Sequence, residues 1–213
     1  MIKVLIADDH ALFREGLEQI LADHPDIVVT TKASTGLEVL ELVATHEVDI
    51  LLLDIAMPGM SGLDVLKQLR SLKPKLRVLI LSMYPEEQYA VRAIKAGAVG
   101  YLTKQSASGE LIKAIRKVSA GGTYISSSIT DKLILDLEPD TDRPLHEKLS
   151  DREYQVFCMI ARGKAAGRIA QELFLSVKTI STHRVHILEK MKMETNAELT
   201  NYAIKHNLVN LTD

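Results

Sequence analysis

Four short patches in the first half of the chain carry residues able to do chemistry together. They are Asp8 and Asp9, then Asp54 at the head of Asp54-Ile55-Ala56-Met57-Pro58-Gly59, then Ser82, then Lys104. Each stands at the carboxyl end of an apolar run that reads as a β-strand. Strand ends on one edge of a parallel sheet open on a single crevice, so the patches are expected to meet in space. Converging carboxylates repel one another unless a cation joins them. Oxygen ligands of this kind suit Mg²⁺, which binds through one or two carboxylates with phosphate oxygens and water. A hydroxyl and an ammonium beside such an ion can hold the other oxygens of a phosphoryl group. That is the equipment for phosphorylating an aspartate. Any one patch alone would pass as solvated loop residues, but four of them, each after a separate strand and in this order, argue against coincidence.

The elements that must position these residues follow from periodicity. Ile2 to Ala7, Ile27 to Lys32, Val48 to Leu53, Leu76 to Leu81 and Ala98 to Leu102 are strand-like. The third is nearly all apolar, as a strand covered on both faces should be. Helical stripes lie between and after them: Leu12, Leu17, Ile20 and Leu21; Val39, Leu40 and Val43; Leu63, Leu66 and Leu69; Val91 and Ile94; Leu111, Ile112, Ile115 and Val118. Five β-α units predict an α/β domain with a five-stranded, doubly wound parallel sheet over residues 1–122. Gly121-Gly122 closes its last helix, and Ser126-Ser127-Ser128 can cap a short helix from Ile129 to Leu137. The acidic stretch Glu138-Pro139-Asp140-Thr141-Asp142-Arg143-Pro144 then reads as exposed, so 123–146 is expected to be a linker with one short helix.

From Leu149 every segment is helical, and residues 147–213 are expected to form a small all-α domain. Ser150-Asp151-Arg152-Glu153 is a capping box, with the acid three residues after the N-cap. A short helix near Ala165 to Phe174, a tight turn at Leu175-Ser176, a longer helix from Val177 to Met191 and a last one from Asn196 to Asn207 make a helix-turn-helix arrangement. On the long helix Val177, Ile180, Ile187, Leu188 and Met191 are expected to form one buried stripe. Ser181, Thr182 and Val185 fall on the opposite face, with Lys178, Thr179, Arg184, Lys190 and Lys192 toward its flanks and ends. On the last helix Leu199, Tyr202 and Ala203 could serve either as a pairing face or as core.

Composition sets outer bounds. The 213 residues are 46% apolar and 25% charged, with a net charge of −2, as for a soluble globular protein of one or two domains. Charge is uneven: the 126–148 stretch is acidic and 149–213 mildly basic, which permits nucleic-acid binding. No apolar run approaches the roughly 18 residues of a membrane span. The N-terminus enters a strand directly and has no signal-peptide layout. A single cysteine, Cys158 within an apolar stripe, excludes an intramolecular disulfide framework and fits a reducing cytoplasm. The seven histidines show no metal-ligand spacing with one another or with that cysteine.

With these residues in view the chain resembles a two-component response regulator of the NarL/FixJ family, a receiver domain followed by a LuxR-type helix-turn-helix. The receiver half matches through Ile6-Ala7-Asp8-Asp9-His10, Asp54 to Gly62, Leu81-Ser82-Met83 and Ala96 to Lys104. The second half matches through Leu149 to Glu153, Ile169-Ala170, Leu175-Ser176, Lys178-Thr179-Ile180 and His183. The resemblance implies a flavodoxin-like receiver with Asp54 as phosphoacceptor. Mg²⁺ would be held by Asp9, Asp54 and the backbone carbonyl of Ala56, with Asp8 acting through a metal-bound water. Ser82 and Lys104 would each hold a phosphoryl oxygen, and Tyr101 would be the switch aromatic whose ring turns inward when Ser82 moves. It implies base contacts from Ser181, Thr182 and Val185. The chain departs from the pattern in two places. Gln105 follows Lys104 where many receivers have proline, so no cis bond is predicted there. Ala165-Ala166-Gly167-Arg168 also replaces a more polar stretch.

The implied partners are a sensor histidine kinase as donor, double-stranded promoter DNA, a second copy of the chain on activation, and RNA polymerase, with no membrane. The implied protein accepts one phosphoryl group and slowly loses it, and is not a multiple-turnover enzyme. Two other classes compete. An aspartyl-phosphate phosphatase on a similar fold would carry a second Asp two residues after the nucleophile, where this chain has Ala56. A protein-interaction module that ignores DNA would give no gel shift with genomic fragments.

Overall fold

The structure, a computed structural model, describes residues 1–106, 108–135 and 144–209, and these form two compact units, Met1–Leu137 and Glu138–Asp213. The first unit holds five strands: β1 (Ile2–Ala7), β2 (Ile27–Ala33), β3 (Ile50–Leu53), β4 (Arg77–Ser82) and β5 (Gly100–Thr103). All neighbours are parallel, in the order β2-β1-β3-β4-β5. The expected doubly wound sheet is present, with β3 and β5 each starting two residues later than periodicity suggests. Strand order reverses between β1 and β3, and a crevice opens at such a switch point. Asp8 and Asp54 end those two strands.

Backbone bonds extend the ladder past the strand ends and so fix the site. Asp8 N–H donates to Ala33 O at 3.1 Å, Asp54 N–H to Ala7 O at 2.9 Å, and Lys104 N–H to Ser82 O at 2.8 Å. Five helices cover the sheet: α1 (Ala11–Ala22), α2 (Gly36–Thr45), α3 (Gly62–Leu72), α4 (Glu86–Ala96) and α5 (Ser108–Ser119). Val4, Ile6, Ile50, Leu52, Leu79 and Leu81 point to one face and pack with Leu17 and Leu21 of α1 and Leu111, Ile115 and Val118 of α5. The alternate strand residues are buried as well, which is why the sequence shows runs rather than alternation.

Two helical stripes differ from expectation. Leu12 is 85% exposed, because the apolar face of α1 is set by Leu17 and Leu21 one and two turns further on. On α4, Val91 and Ile94 are only half-buried, and the buried face is Tyr89, Ala90, Ala93 and Ala96. Alanines carry little weight in a hydrophobic pattern but let a helix approach closely. A sixth helix, α6 (Ser127–Leu135), begins under a cap in which Ser126 Oγ accepts from Ile129 N–H. It packs on α4 with Ile129 fully buried, so it belongs to the first unit rather than to a free linker. The expected linker residues 136–143 lie outside the described residues. No peptide bond among the described residues is cis.

The second unit is helical: a 3-10 turn at Leu145–Lys148, then α7 (Asp151–Ala161), α8 (Ala166–Glu172), α9 (Val177–Met191) and α10 (Asn196–Lys205). The capping box forms, with Ser150 Oγ accepting from Glu153 N–H and Glu153 accepting from Ser150 N–H. Phe157 and Cys158 are fully buried. The stripe on α9 is narrower than expected. Ile180, Ile187 and Met191 are buried, but Leu188 is half-buried, and Val177, in the first turn where the helix leaves the core, is 52% exposed. Leu199 and Ala203 are fully buried where α10 meets α7, so they are core and not a free pairing face.

Gly62 opens α3 against the strand that carries Asp54. A Cβ there would stand 2.0 Å from the Asp54 carbonyl oxygen, and backbone cannot yield as a side chain can. Gly62→Ala should therefore destabilise the first unit by about 2–3 kcal/mol, read as a lower urea midpoint by circular dichroism. An unchanged midpoint would mean that the approach of α3 to β3 is not as tight as described.

Candidate functional site

The strand ends bring Asp8, Asp9, Asp54 and Lys104 into one cluster. Asp8 and Asp54 are both 2% exposed. Lys104 reaches across the switch point, its side chain 4% exposed, with Nζ 2.5 Å from Asp8 Oδ2 and 2.8 Å from Asp54 Oδ2. Nζ also sits 4.8 Å from the centre of the Phe13 ring, which adds a cation–π contact. Asp54 Oδ1 is buried and accepts no hydrogen bond among the described residues.

Electrostatics make this arrangement incomplete. Burial holds the Asp54 carboxyl above the ordinary aspartate range. Lys104 and the Ala56 N–H pull it down and Asp8 pushes it up, without reversing the direction. Burial also lowers Lys104, but Asp54 and Asp8 outweigh it and hold the ammonium above its usual value. The pair is therefore favourable for the lysine and unfavourable for Asp54. One ammonium serves two carboxylates, so Lys104 stays protonated and the unmet charge falls on Asp54. Donor atoms of Asp8, Asp9, His10 and Asp54 lie within 4.8 Å of one another. A converging acidic set with an unpartnered buried oxygen fits a hard divalent cation.

Ser82 and Tyr101 form an adjoining group. Ser82 is fully buried at the end of β4, and its Oγ accepts from Tyr84 N–H at 3.2 Å. Tyr101, 3% exposed on β5, donates its hydroxyl to Tyr84 O at 2.8 Å. Burial holds that phenol well above its ordinary range despite the Ser82 hydroxyl beside it. The ring thus already lies inward, and its hydroxyl is not at the rim.

In the second unit, Lys178, Ser181, Thr182 and Val185 are exposed on one side of α9. Ser181 and Thr182 hydroxyls donate back to Val177 O and Lys178 O, which leaves their lone pairs outward. Thr179 lies against the Ser176 N-cap, with Oγ1 2.8 Å from Ser176 Oγ. Arg184 is half-buried, its Nε donating to Asn196 Oδ1 at 2.7 Å. Lys192 is the exposed, left-handed C-cap of α9. Lys190, its side chain 43% exposed, also pairs inward. Its Nζ stands 2.9 and 2.7 Å from the two carboxylate oxygens of Glu153, which is 4% exposed. A buried carboxylate needs a partner, and Lys190 supplies it.

Two residues and one pairing went unread in the sequence. His10 follows the acidic pair, and its Nδ1 lies 3.2 Å from Asp8 Oδ1 and 2.8 Å from Asp9 Oδ1. Its adjacency to the two aspartates was a legible signal. Arg14, one turn after His10, donates to the Asp8 carbonyl. Glu153 and Lys190 are far apart in the chain, and no local pattern joins them.

The fold and the two sites together define a class. The sequence model of the response regulator receiver domain matches residues 4–116, and that of the luxR family of bacterial regulatory proteins matches residues 147–203. The chain belongs to the response regulators that join a receiver to a LuxR-type DNA-binding domain of transcription regulation, a regulatory rather than a catalytic family. Among its relatives is the response regulator UvrY of Escherichia coli, 36% identical over 211 residues that span 99% of this chain and 97% of that one. The response regulator GacA of Pseudomonas aeruginosa is 37% identical over 210 residues, 98% of either chain. The oxygen regulatory protein NreC of Staphylococcus carnosus is 36% identical over 215 residues, 98% of this chain and 99% of that one. Among solved structures, the response regulator ChrA of a heme-sensing two-component system covers 98% of both chains at 28% identity and a TM-score of 0.51. RcsB of Salmonella enterica serovar Typhimurium, bound to the promoter rprA in the presence of the phosphomimetic BeF3⁻, has a TM-score of 0.64. It covers 95% of this chain and 98% of its own at 23% identity, a likeness of fold.

Asp54→Asn removes a buried charge that Lys104 does not fully offset. In chelator at pH 7 it should raise the urea midpoint of the first unit. The sign follows from the raised folded-state value. Below the unfolded aspartate pKa near ~4 both states are neutral and the variant gains nothing. As pH rises through the folded value the wild type bears the full penalty and the variant does not. A gain that grew toward acid pH, measured by urea titration from pH 3 to 7, would contradict the direction.

Proposed function

We propose that Asp54 accepts a phosphoryl group from a phosphohistidine of a sensor kinase, and that the acceptor state controls pairing of two copies and their binding to promoter DNA. The observation that carries this reading is the arrangement on Asp54 itself: Oδ2 held by Lys104, and Oδ1 buried without a hydrogen-bond partner among the described residues. Lacking a hydrogen bond of its own, that oxygen is the one left to attack phosphorus once the site opens to the phosphodonor. Phosphoryl transfer needs mainly positioning and charge neutralisation. Asp9, Asp54 and the Ala56 carbonyl would hold Mg²⁺, with Asp8 acting through water, and the bound cation would neutralise charge on the transferred group. Lys104 would move its contact from the carboxylates to a phosphoryl oxygen. Ser82 would exchange its bond from Tyr84 N–H for a second phosphoryl oxygen, and Tyr101 would respond through Tyr84. One group is accepted and slowly lost. With Ala56 two residues after the acceptor, no side chain there can act as general acid for rapid turnover.

The domains would divide as 1–122 for the receiver and 147–213 for DNA binding. Among the described residues no helix is long and apolar enough to cross a membrane, in line with work in the cytoplasm on DNA. On α9, Ser181, Thr182 and Val185 would face base edges while Lys178, Thr179, Arg184, Lys190 and Lys192 lie toward phosphates. With Lys190 also paired to Glu153, the basic charge per copy is small, so two copies on two half-sites are the natural binding unit. RNA polymerase would be met from that DNA-bound position.

Incubation with acetyl phosphate and Mg²⁺ should add one phosphoryl group by intact-mass measurement, and Asp54→Asn should abolish the addition. Labelling that persists in the variant, or that maps elsewhere, would overturn the assignment.

On DNA, Thr182→Ala and Val185→Ala should change sequence preference, each affected base pair costing about 1–3 kcal/mol. Lys178→Ala should weaken binding to all sequences and flatten the salt slope by about one unit. Binding-site selection and salt titration by fluorescence anisotropy would check both. The reverse pattern would move the reading face away from these residues.

A further inference from the structure

The acidic crevice has two edges, and only one is filled by the protein. Lys104 takes the Oδ2 atoms of Asp8 and Asp54. On the other edge, Asp8 Oδ1 and Asp9 Oδ1 both lie beside Nδ1 of His10, at 3.2 and 2.8 Å. Asp54 Oδ1, buried and unpartnered, belongs to the same crevice. The donor atoms of Asp8, Asp9, His10 and Asp54 are all within 4.8 Å of one another. Ligands on one octahedral ion with bonds near ~2.1 Å stand about 3.0 Å apart when adjacent and about 4.2 Å when opposite. The groups therefore need to draw together by at most about 2 Å to share one.

The placement of His10 is built in. Its backbone N–H donates to Asp8 Oδ1 at 2.9 Å, which folds the loop so that the imidazole stands at the mouth of the crevice. The ring is 65% exposed, so Nδ1 can turn from the carboxylates to an ion without loss of core packing. Resting on the reading of this crevice as a divalent-cation site, we propose that His10 is a metal ligand there. With it the crevice becomes a mixed nitrogen–oxygen site that accepts borderline transition ions. Carboxylate and water suit Mg²⁺, which keeps its waters and gains little from imidazole, whereas first-row transition ions take carboxylate and imidazole together. His10 then sets which ion occupies the site when both kinds are present, and Mg²⁺ competes with a transition ion for the same carboxylates.

The test uses the full chain with Mn²⁺, whose pulsed electron paramagnetic resonance signal reports a directly bound ¹⁴N. Wild type should bind one Mn²⁺ that Mg²⁺ displaces, with nitrogen modulation in the signal. His10→Ala should lose the modulation and about tenfold in Mn²⁺ affinity, while its Mg²⁺ affinity stays within about twofold. Wild type without nitrogen modulation, or modulation that survives His10→Ala, overturns the proposal. So does an equal loss for both ions, which would make His10 a support for the aspartates and not a ligand. Failure of the underlying reading looks different: Mn²⁺ would resist displacement by Mg²⁺, or Asp54→Asn would bind Mn²⁺ as tightly as wild type.

Discussion

One ammonium between two buried carboxylates holds the first unit's function together. Lys104 lies across the crevice where strand order reverses, on Asp8 from β1 and Asp54 from β3. Removing Lys104 would leave two carboxylates uncompensated in a poorly solvated place, which is costly. The sheet makes the arrangement possible by carrying ladder bonds one residue past the strands, so that Asp54 N–H is pinned to Ala7 O and Lys104 N–H to Ser82 O. The position of each reactive side chain is thus a property of the ladder and not of a loop. The charge sum is left short by design: one cation serves several anions, and the deficit falls on Asp54.

Much of this was legible in the chain because its causes are local. β1 and α9 have the bounds expected of them, because both carry strong periodic patterns with clear ends. The acidic residues and Lys104 were legible for a different reason: the carboxyl ends of parallel strands are geometrically bound to meet. What escaped was non-local or carried by weakly patterned residues. The buried face of α4 is alanines and Tyr89, invisible to a search for large aliphatics. Whether Leu12 faced the core depended on the entry angle of α1, which no spacing reveals. Phe174 stands with φ at 54° in the turn between α8 and α9, a conformation costly for a bulky side chain, and is 65% exposed. Nothing in its neighbours announces that; the turn geometry is imposed by the helices on either side.

The receiver's second group, Ser82 with Tyr84 and Tyr101, shows how a small change at the crevice can be felt elsewhere. Ser82 accepts from Tyr84 N–H, and Tyr84 O accepts from the Tyr101 hydroxyl, so the two side chains share one peptide segment. That segment leads directly into α4, whose first turn begins at Glu86. Glu86 in turn accepts from Ser126 N–H at the start of α6. A chain of contiguous bonds therefore runs from the strand end to the helix pair α4 and α6. It is a material route for a two-state change, though coupling along it is a matter of energies and not of adjacency.

The Glu153 carboxylate fastens two things at once in the second unit. It closes the box at the first turn of α7, and it anchors Lys190 near the end of the helix whose exposed face carries Ser181, Thr182 and Val185. A substitution at Glu153 would loosen the seat of α9 although that carboxylate is buried, whereas the Lys190 side chain is 43% exposed. A survey of loss-of-function variants would then enrich at position 153 and mistake a hinge pin for a fingertip. Exposure of the side chain, more than the severity of the defect, separates residues that touch a partner from residues that aim the ones that do.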